Sequence, residues 1–149
     1  MQKGYKIMAK FKEEIPYELL RSFQELETNI PEMMGGMTQA GAKTVYNNVI
    51  KNMSKSFKTI KSLKKGLKIT KVYHTSKEEI ATKIAFYGYD TEKVTKKHPN
   101  GVPIPLIALA REYGTSRGEA KKPFFRKSFK KTEIEKAMIE VQKKYLPKE

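Results

Sequence analysis

The stretch GLKITKVYHTSKEEIATKIAFYGY, residues 66–89, is where the chain changes from one kind of periodicity to another. Leu67, Ile69 and Tyr73 share one parity up to His74, and Ile80, Thr82, Ile84 and Phe86 share another up to Tyr89. A strand sends successive side chains to opposite faces, so this alternation predicts two half-buried strands. The link between them, Thr75-Ser76-Lys77-Glu78, is short and polar, which predicts an antiparallel hairpin. Residues 3–12 alternate in the same way, with Tyr5, Ile7, Ala9 and Phe11 against Lys6, Met8, Lys10 and Lys12. Together these runs predict an antiparallel sheet of three or more strands, and such a sheet needs helices to cover its apolar face.

The helices are written on either side of the hairpin. Ile15, Leu19, Leu20, Phe23 and Leu26 recur at helical spacing, with Pro16 tolerated in a first turn, and this helix is expected to stop before Pro31. The segment PEMMGGM, with a proline and two adjacent glycines, reads as a hinge or loop. Beyond it Val45, Val49, Met53 and Phe57 step by four, flanked by Ala42, Tyr46 and Ile50, which predicts a long amphipathic helix from about Thr38 to Phe57. After the polar stretch 90–103, read as a mobile loop, Leu106, Leu109, Ala110 and Tyr113 predict a short helix ending in a left-handed cap at Gly114. Thr132, Glu133 and Glu135 form a capping box ahead of Ile134, Met138, Val141 and Tyr145, so a C-terminal helix is expected, ended by Pro147. The resulting picture is one α+β domain over residues 1–149: a sheet packed against a long helix and a C-terminal helix.

The formal net charge is +15, and its distribution matters more than its size. Residues 1–50 and 78–120 are each balanced, with six basic against six acidic side chains. The excess sits in two blocks. Residues 51–77 carry nine lysines and no acid, and residues 121–149 carry ten basic residues against four acids. Such blocks attract polyanions, and a sequence-independent nucleic-acid contact through Lys55, Lys58, Lys61, Lys64, Lys65 and Lys68 is the reading they support. A lysine-rich face that only confers solubility is the simpler alternative. No uninterrupted apolar run approaches the length of a membrane span, so a soluble chain made in the cytoplasm is expected.

The parts of most enzymes are missing from the sequence. There is no cysteine, hence no thiolate nucleophile or disulfide. GTSRGEAKK lacks the spacing of a phosphate-binding loop, and no G-x-S-x-G elbow is present. His74 and His98 have no partner at metal-ligand spacing. No helix presents the arginine, asparagine and glutamine cluster that reads base edges. No catalysis, cofactor or metal is expected.

The remaining signal lies in IALAREYGTSRGEAKKPFFRKSF, residues 107–129. Gly114 permits a sharp reversal after the short helix, Pro123 fixes the entry into the last helix, and Phe124 and Phe125 point to different sides. Glu112 and Arg126 can pair across the turn. The run resembles the C-terminal signature of the bacteriophage tail-component family, which includes head-to-tail joining proteins of HK-type lambdoid phages: a hydrophobic run, Glu112-Tyr113-Gly114-Thr115, a variable loop, then Ala120, Pro123, Phe124 and Arg126 before a final helix. The preceding order of long helix, lysine-rich loop, hairpin and variable loop is similar as well, so the resemblance covers roughly residues 35–146. Lys121-Lys122 stands where the family has a single basic residue, and Lys127-Ser128 where Pro-Ala is frequent.

The resemblance implies a structural role: a neck, or tail-completion, component of a tailed phage or phage-like particle. It would be assembled in the host bacterial cytoplasm into a hexameric ring of identical copies at the head-tail junction, meeting other neck, tail-tube or portal-side proteins, with possible non-specific DNA contact. Glu112, Tyr113, Gly114, Thr115, Pro123, Phe124, Phe125 and Arg126 would then shape the subunit or partner interface. A free-standing, sequence-independent nucleic-acid-binding protein is the alternative.

Overall fold

A computed structural model describes residues 17–146, and its dominant element is one helix, α1 (Tyr17–Ser56). The expected break at Pro31 and the expected loop at PEMMGGM are both absent. Helix α1 runs through Pro31, whose missing N–H forgoes one main-chain bond, and through Gly35-Gly36. The glycines are packing positions. A Cβ on Gly36 would lie 3.2 Å from Val141, one on Gly41 3.2 Å from Ile134, and one on Gly35 3.5 Å from Val72. Two different elements therefore lean on α1 where it has no side chains, and that tertiary contact overrides the local preference of glycine for turns.

The first of these is the C-terminal helix, named α4 (Lys131–Tyr145) because α2 (Lys61–Gly66) and α3 (Ile104–Tyr113) precede it. It lies antiparallel along α1. Glu133 meets Asn48, Ile134 and Met138 meet Gly41, Val141 meets Gly36, and Tyr145 lies beside Glu32. The predicted capping box does not form. The helix starts at Lys131, the residue before it is Lys130 with an extended backbone, and no side chain caps it. Glu133 instead accepts a 2.8 Å bond from the Asn48 amide, and Glu135 pairs with Lys131. Pro147 and the predicted strand at residues 3–12 lie outside the described residues.

The second element leaning on α1 is the hairpin of residues 67–86. Strand β1 (Leu67–Ile69) pairs antiparallel with β4 (Ile84–Phe86), and β2 (Tyr73–His74) pairs with β3 (Ile80–Ala81). Its turn is the one expected: the Glu78 N–H donates to the Thr75 carbonyl at 2.9 Å, and the Thr75 hydroxyl accepts from Lys77 and Glu79. From Ile69 to Tyr73 the first strand advances four residues, while its partner retreats three, from Ile84 to Ala81. One extra residue is thus accommodated as a bulge, which reverses the parity beyond it. Tyr73, grouped with Leu67 and Ile69 by sequence, is turned outward, and Val72 faces Gly35 of α1. Thr38 and Thr82 share a 2.8 Å hydroxyl bond, and the Gln39 amide donates to the Thr70 carbonyl at 3.0 Å, fixing the hairpin across the helix.

Among the described residues the strands pair only in twos, so the expected sheet of three or more strands is not seen. The mixed α and β character is. The stretch 90–103 is also more ordered than a mobile loop: β5 (Tyr89–Asp90) pairs with β6 (Val102–Pro103), and internal bonds link Val102 to Lys93 and His98 to Thr95. The core is a single cluster. Val45, Val49 and Met53 of α1 and Phe57 just past its end supply one side, and Leu63, Leu67, Ile104, Ile107, Ala108 and Phe124 close over it.

Candidate functional site

The segment joining α3 to α4 is held from both sides. Helix α3 brings Glu112 to its last turn, and the chain reverses at Gly114, with φ of +76°. A Cβ there would come within 2.7 Å of the Glu119 carbonyl oxygen. Its ψ of 176° makes this an extended reversal in place of the predicted left-handed cap, and few residues besides glycine accept it. Thr115 then ties the loop to itself: its N–H donates to the Glu119 carbonyl at 3.1 Å, and its hydroxyl accepts from the Glu119 N–H at 3.2 Å. Pro123 is half-buried and leads into Phe124, which is 0% exposed.

Phe124 enters the core edge-on to Phe57, with centroids 5.4 Å apart, and at 6.1 Å from Phe86. Phe125 packs on the same Phe86 at 5.8 Å and on Phe129 at 5.2 Å, at the edge of the core.

Around this anchor Glu112 does the organising. Its side chain is only 6% exposed. One carboxylate oxygen accepts the N–H groups of Phe124 and Phe125, each at 2.9 Å, and the other accepts the Arg126 N–H at 3.2 Å and the Arg126 Nε–H at 2.8 Å. The Phe125 and Arg126 N–H groups stand at the N-cap and first position of the 3₁₀ turn Arg126–Ser128, with the Phe124 N–H just ahead of them, and a carboxylate satisfies all three. Burial raises the carboxyl's affinity for a proton. The Phe125 N–H, the Arg126 side chain and the N–H groups of Phe124 and Arg126 outweigh it and hold the pKa below the usual value, so Glu112 is the ionised acceptor. The Arg126 guanidinium also stacks on the Tyr113 ring, 4.7 Å from its centroid, which leaves the Glu112–Arg126 pair partly covered.

On the opposite side the same turn is gripped by α1. The Asn48 amide donates to the Ser128 carbonyl at 3.1 Å, and the Asn52 amide donates to the Ser128 hydroxyl at 3.0 Å and the Phe124 carbonyl at 3.4 Å. The Ser128 hydroxyl in turn donates to the Phe124 carbonyl at 2.6 Å. Donors of the turn are thus satisfied by a carboxylate from α3 and its acceptors by two amides from α1. The sequence singles out neither Asn48 nor Asn52, and Ser128 only as half of the Lys127-Ser128 departure from the family pattern. The available signal was an asparagine pair four residues apart, in a helix interior that asparagine disfavours.

Beside the clamp an apolar groove of about 340 Å³ is lined by Ile84, Phe86, Pro105, Leu109, Tyr113 and Phe125. Leu109 is 56% exposed and Tyr113 55% exposed, which leaves the outer face of α3 uncovered. The lysines singled out by sequence lie elsewhere. Lys55 and Lys58 stand at the end of α1, Lys61, Lys64 and Lys65 on α2, and Lys68 on β1, all exposed. Lys61 and Lys65 line a second cleft of about 380 Å³ together with Lys93 and Arg111, but also with Asp90 and Glu92, and Lys61 pairs with Glu92 at 3.8 Å.

Among the described residues no group of three or more histidine, aspartate or glutamate side chains could hold a metal ion. None of the helices described is long and apolar enough to cross a membrane. No family model, curated protein or solved structure matches the chain.

Proposed function

We propose that the chain is a structural component of a tailed bacteriophage or phage-like particle, a neck or tail-completion protein that forms a ring at the head-tail junction. The observation that carries this reading is the Glu112 clamp: the residues of the family-like signature, Glu112, Tyr113, Gly114, Pro123, Phe124 and Arg126, converge on one turn instead of scattering. The clamp holds that turn rigid beside the uncovered face of α3. A ring is built from two different surfaces of each copy, and each must keep its shape for closure to satisfy both. In this reading the groove takes part of the neighbouring copy, and the finer expectations of a hexamer and of contacts with tail-tube or portal-side proteins follow from the resemblance alone.

The test is to delete the chain's coding sequence from the bacterium that carries it, induce particle production and image the lysate. Completed heads and separate tails, joined when purified protein is added back, are the expected result. Normal joined particles without the chain would remove the proposal. The alternative, a protein that binds nucleic acid alone, predicts tight duplex binding by the monomer with no effect on particle assembly.

A further inference from the structure

The two basic blocks, far apart in sequence, meet in the fold. Helix α1 ends at Ser56, and its carbonyl accepts from the Lys122 ammonium at 3.5 Å. Asn52, one turn earlier, reaches Phe124 and Ser128. These bonds lay residues 122–128 along the last turns of α1, beside Lys51 and Lys55, with Lys58 just past the helix end. Lys51, Lys55, Lys58, Lys121, Lys122 and Lys127 are all exposed, and among the described residues none of the six is in an ion pair. The nearby acids are engaged elsewhere: Glu112 by the turn, Glu119 by Arg111 at 3.6 Å, and Glu133 by Asn48.

We propose that this composite face binds the phosphate backbone of double-helical DNA, and that residues 121–127 belong to the contact as much as residues 51–58. The chemistry favours phosphates over base edges: all six cations are lysines, point charges without the fork that reads a guanine. A lipid surface also attracts lysine, but stable seating requires bulky apolar residues on the same strip. Here the strip reads Lys51, Ser54, Lys55, Lys58. Lys61, by contrast, is partnered by Glu92 and falls outside the face. The inference concerns the isolated chain and does not need a ring, so either can fail while the other stands.

The test is fluorescence anisotropy of the full chain with a labelled mixed-sequence DNA duplex, from about 50 to 200 mM salt. Six phosphate contacts give a log-log salt slope of about −5. Lys51→Gln/Lys55→Gln/Lys58→Gln and Lys121→Gln/Lys122→Gln/Lys127→Gln should each flatten the slope by roughly 2 to 3. Because Lys122 also touches α1, the pair Lys121→Gln/Lys127→Gln serves as a second variant, expected to flatten it by roughly 2. The comparator Lys93→Gln/Lys96→Gln/Lys97→Gln should change it by less than about 1. An unchanged slope in the 121–127 variants, or a comparator as damaging as they are, overturns the proposal. So does stronger binding to a duplex RNA, or to phosphatidylserine vesicles, than to the DNA.

Discussion

At the scale of single residues, Glu112 decides the most. Its carboxylate meets three main-chain N–H groups that would otherwise be left without an acceptor, and such groups are expensive to bury unsatisfied. Glu112→Gln keeps the size but offers one acceptor oxygen and turns an amide toward donors, so it should lower stability by about 2 to 4 kcal/mol in urea unfolding. Arg126→Ala leaves the main-chain bonds intact and removes a side chain that is 49% exposed, so its cost should be smaller, about 1 kcal/mol. The pH dependence has a definite sign. A carboxyl whose folded pKa is depressed contributes stability that is present above its unfolded value, about 4.3, and lost as the pH falls through the folded value. The gap between the native chain and Glu112→Gln should therefore be largest near neutrality and shrink below about pH 4. A gap that stays constant down to pH 3 would mean the charge is not what matters. The pairing of Glu112 with Arg126 and the burial of Phe124 were legible in the sequence because Gly114 and Pro123 lie between them and mark a turn. The grip of Asn48 and Asn52 was not, because a turn some 75 residues downstream supplies their partners.

At the scale of elements, the long helix is the lesson. Its four-residue stripe was readable from Val45 to Phe57, whereas its continuation back through Gly36, Gly35 and Pro31 was not. Local propensity favours a break there, and only the arrival of Val141 and Val72 from distant segments makes bare helix surface useful. The hairpin and its turn were predicted by alternation, but the bulge that turns Tyr73 outward has no local signature. The start of α4 failed for a related reason: Glu133 is used by Asn48, and Glu135 pairs with Lys131. If close approach at Gly41 holds α4 in place, Gly41→Leu should cost about 1 to 3 kcal/mol through overpacking against Ile134 and Met138. Amide exchange should then speed up in α4 well before it does in the hairpin. Equal acceleration everywhere would show that α4 and the hairpin open as one unit.

At the scale of the whole molecule, two different surfaces are laid out around one clamped turn. The α3 side of the turn borders an apolar groove lined by Leu109, Tyr113 and Phe125. The α1 side gathers Lys51, Lys55, Lys122 and Lys127. In the proposed ring the apolar groove serves contact between copies, and the lysines meet the phosphates of DNA in transit, where attraction must be loose and independent of sequence. The most direct measurement of this proposed arrangement is electron cryomicroscopy of tailed particles produced by the organism that encodes the chain. The expected result is a ring of copies at the head-tail junction in which each groove at Leu109 and Tyr113 is filled by the adjacent copy. Particles that lack the chain, or a ring in which that groove faces solvent, would contradict it.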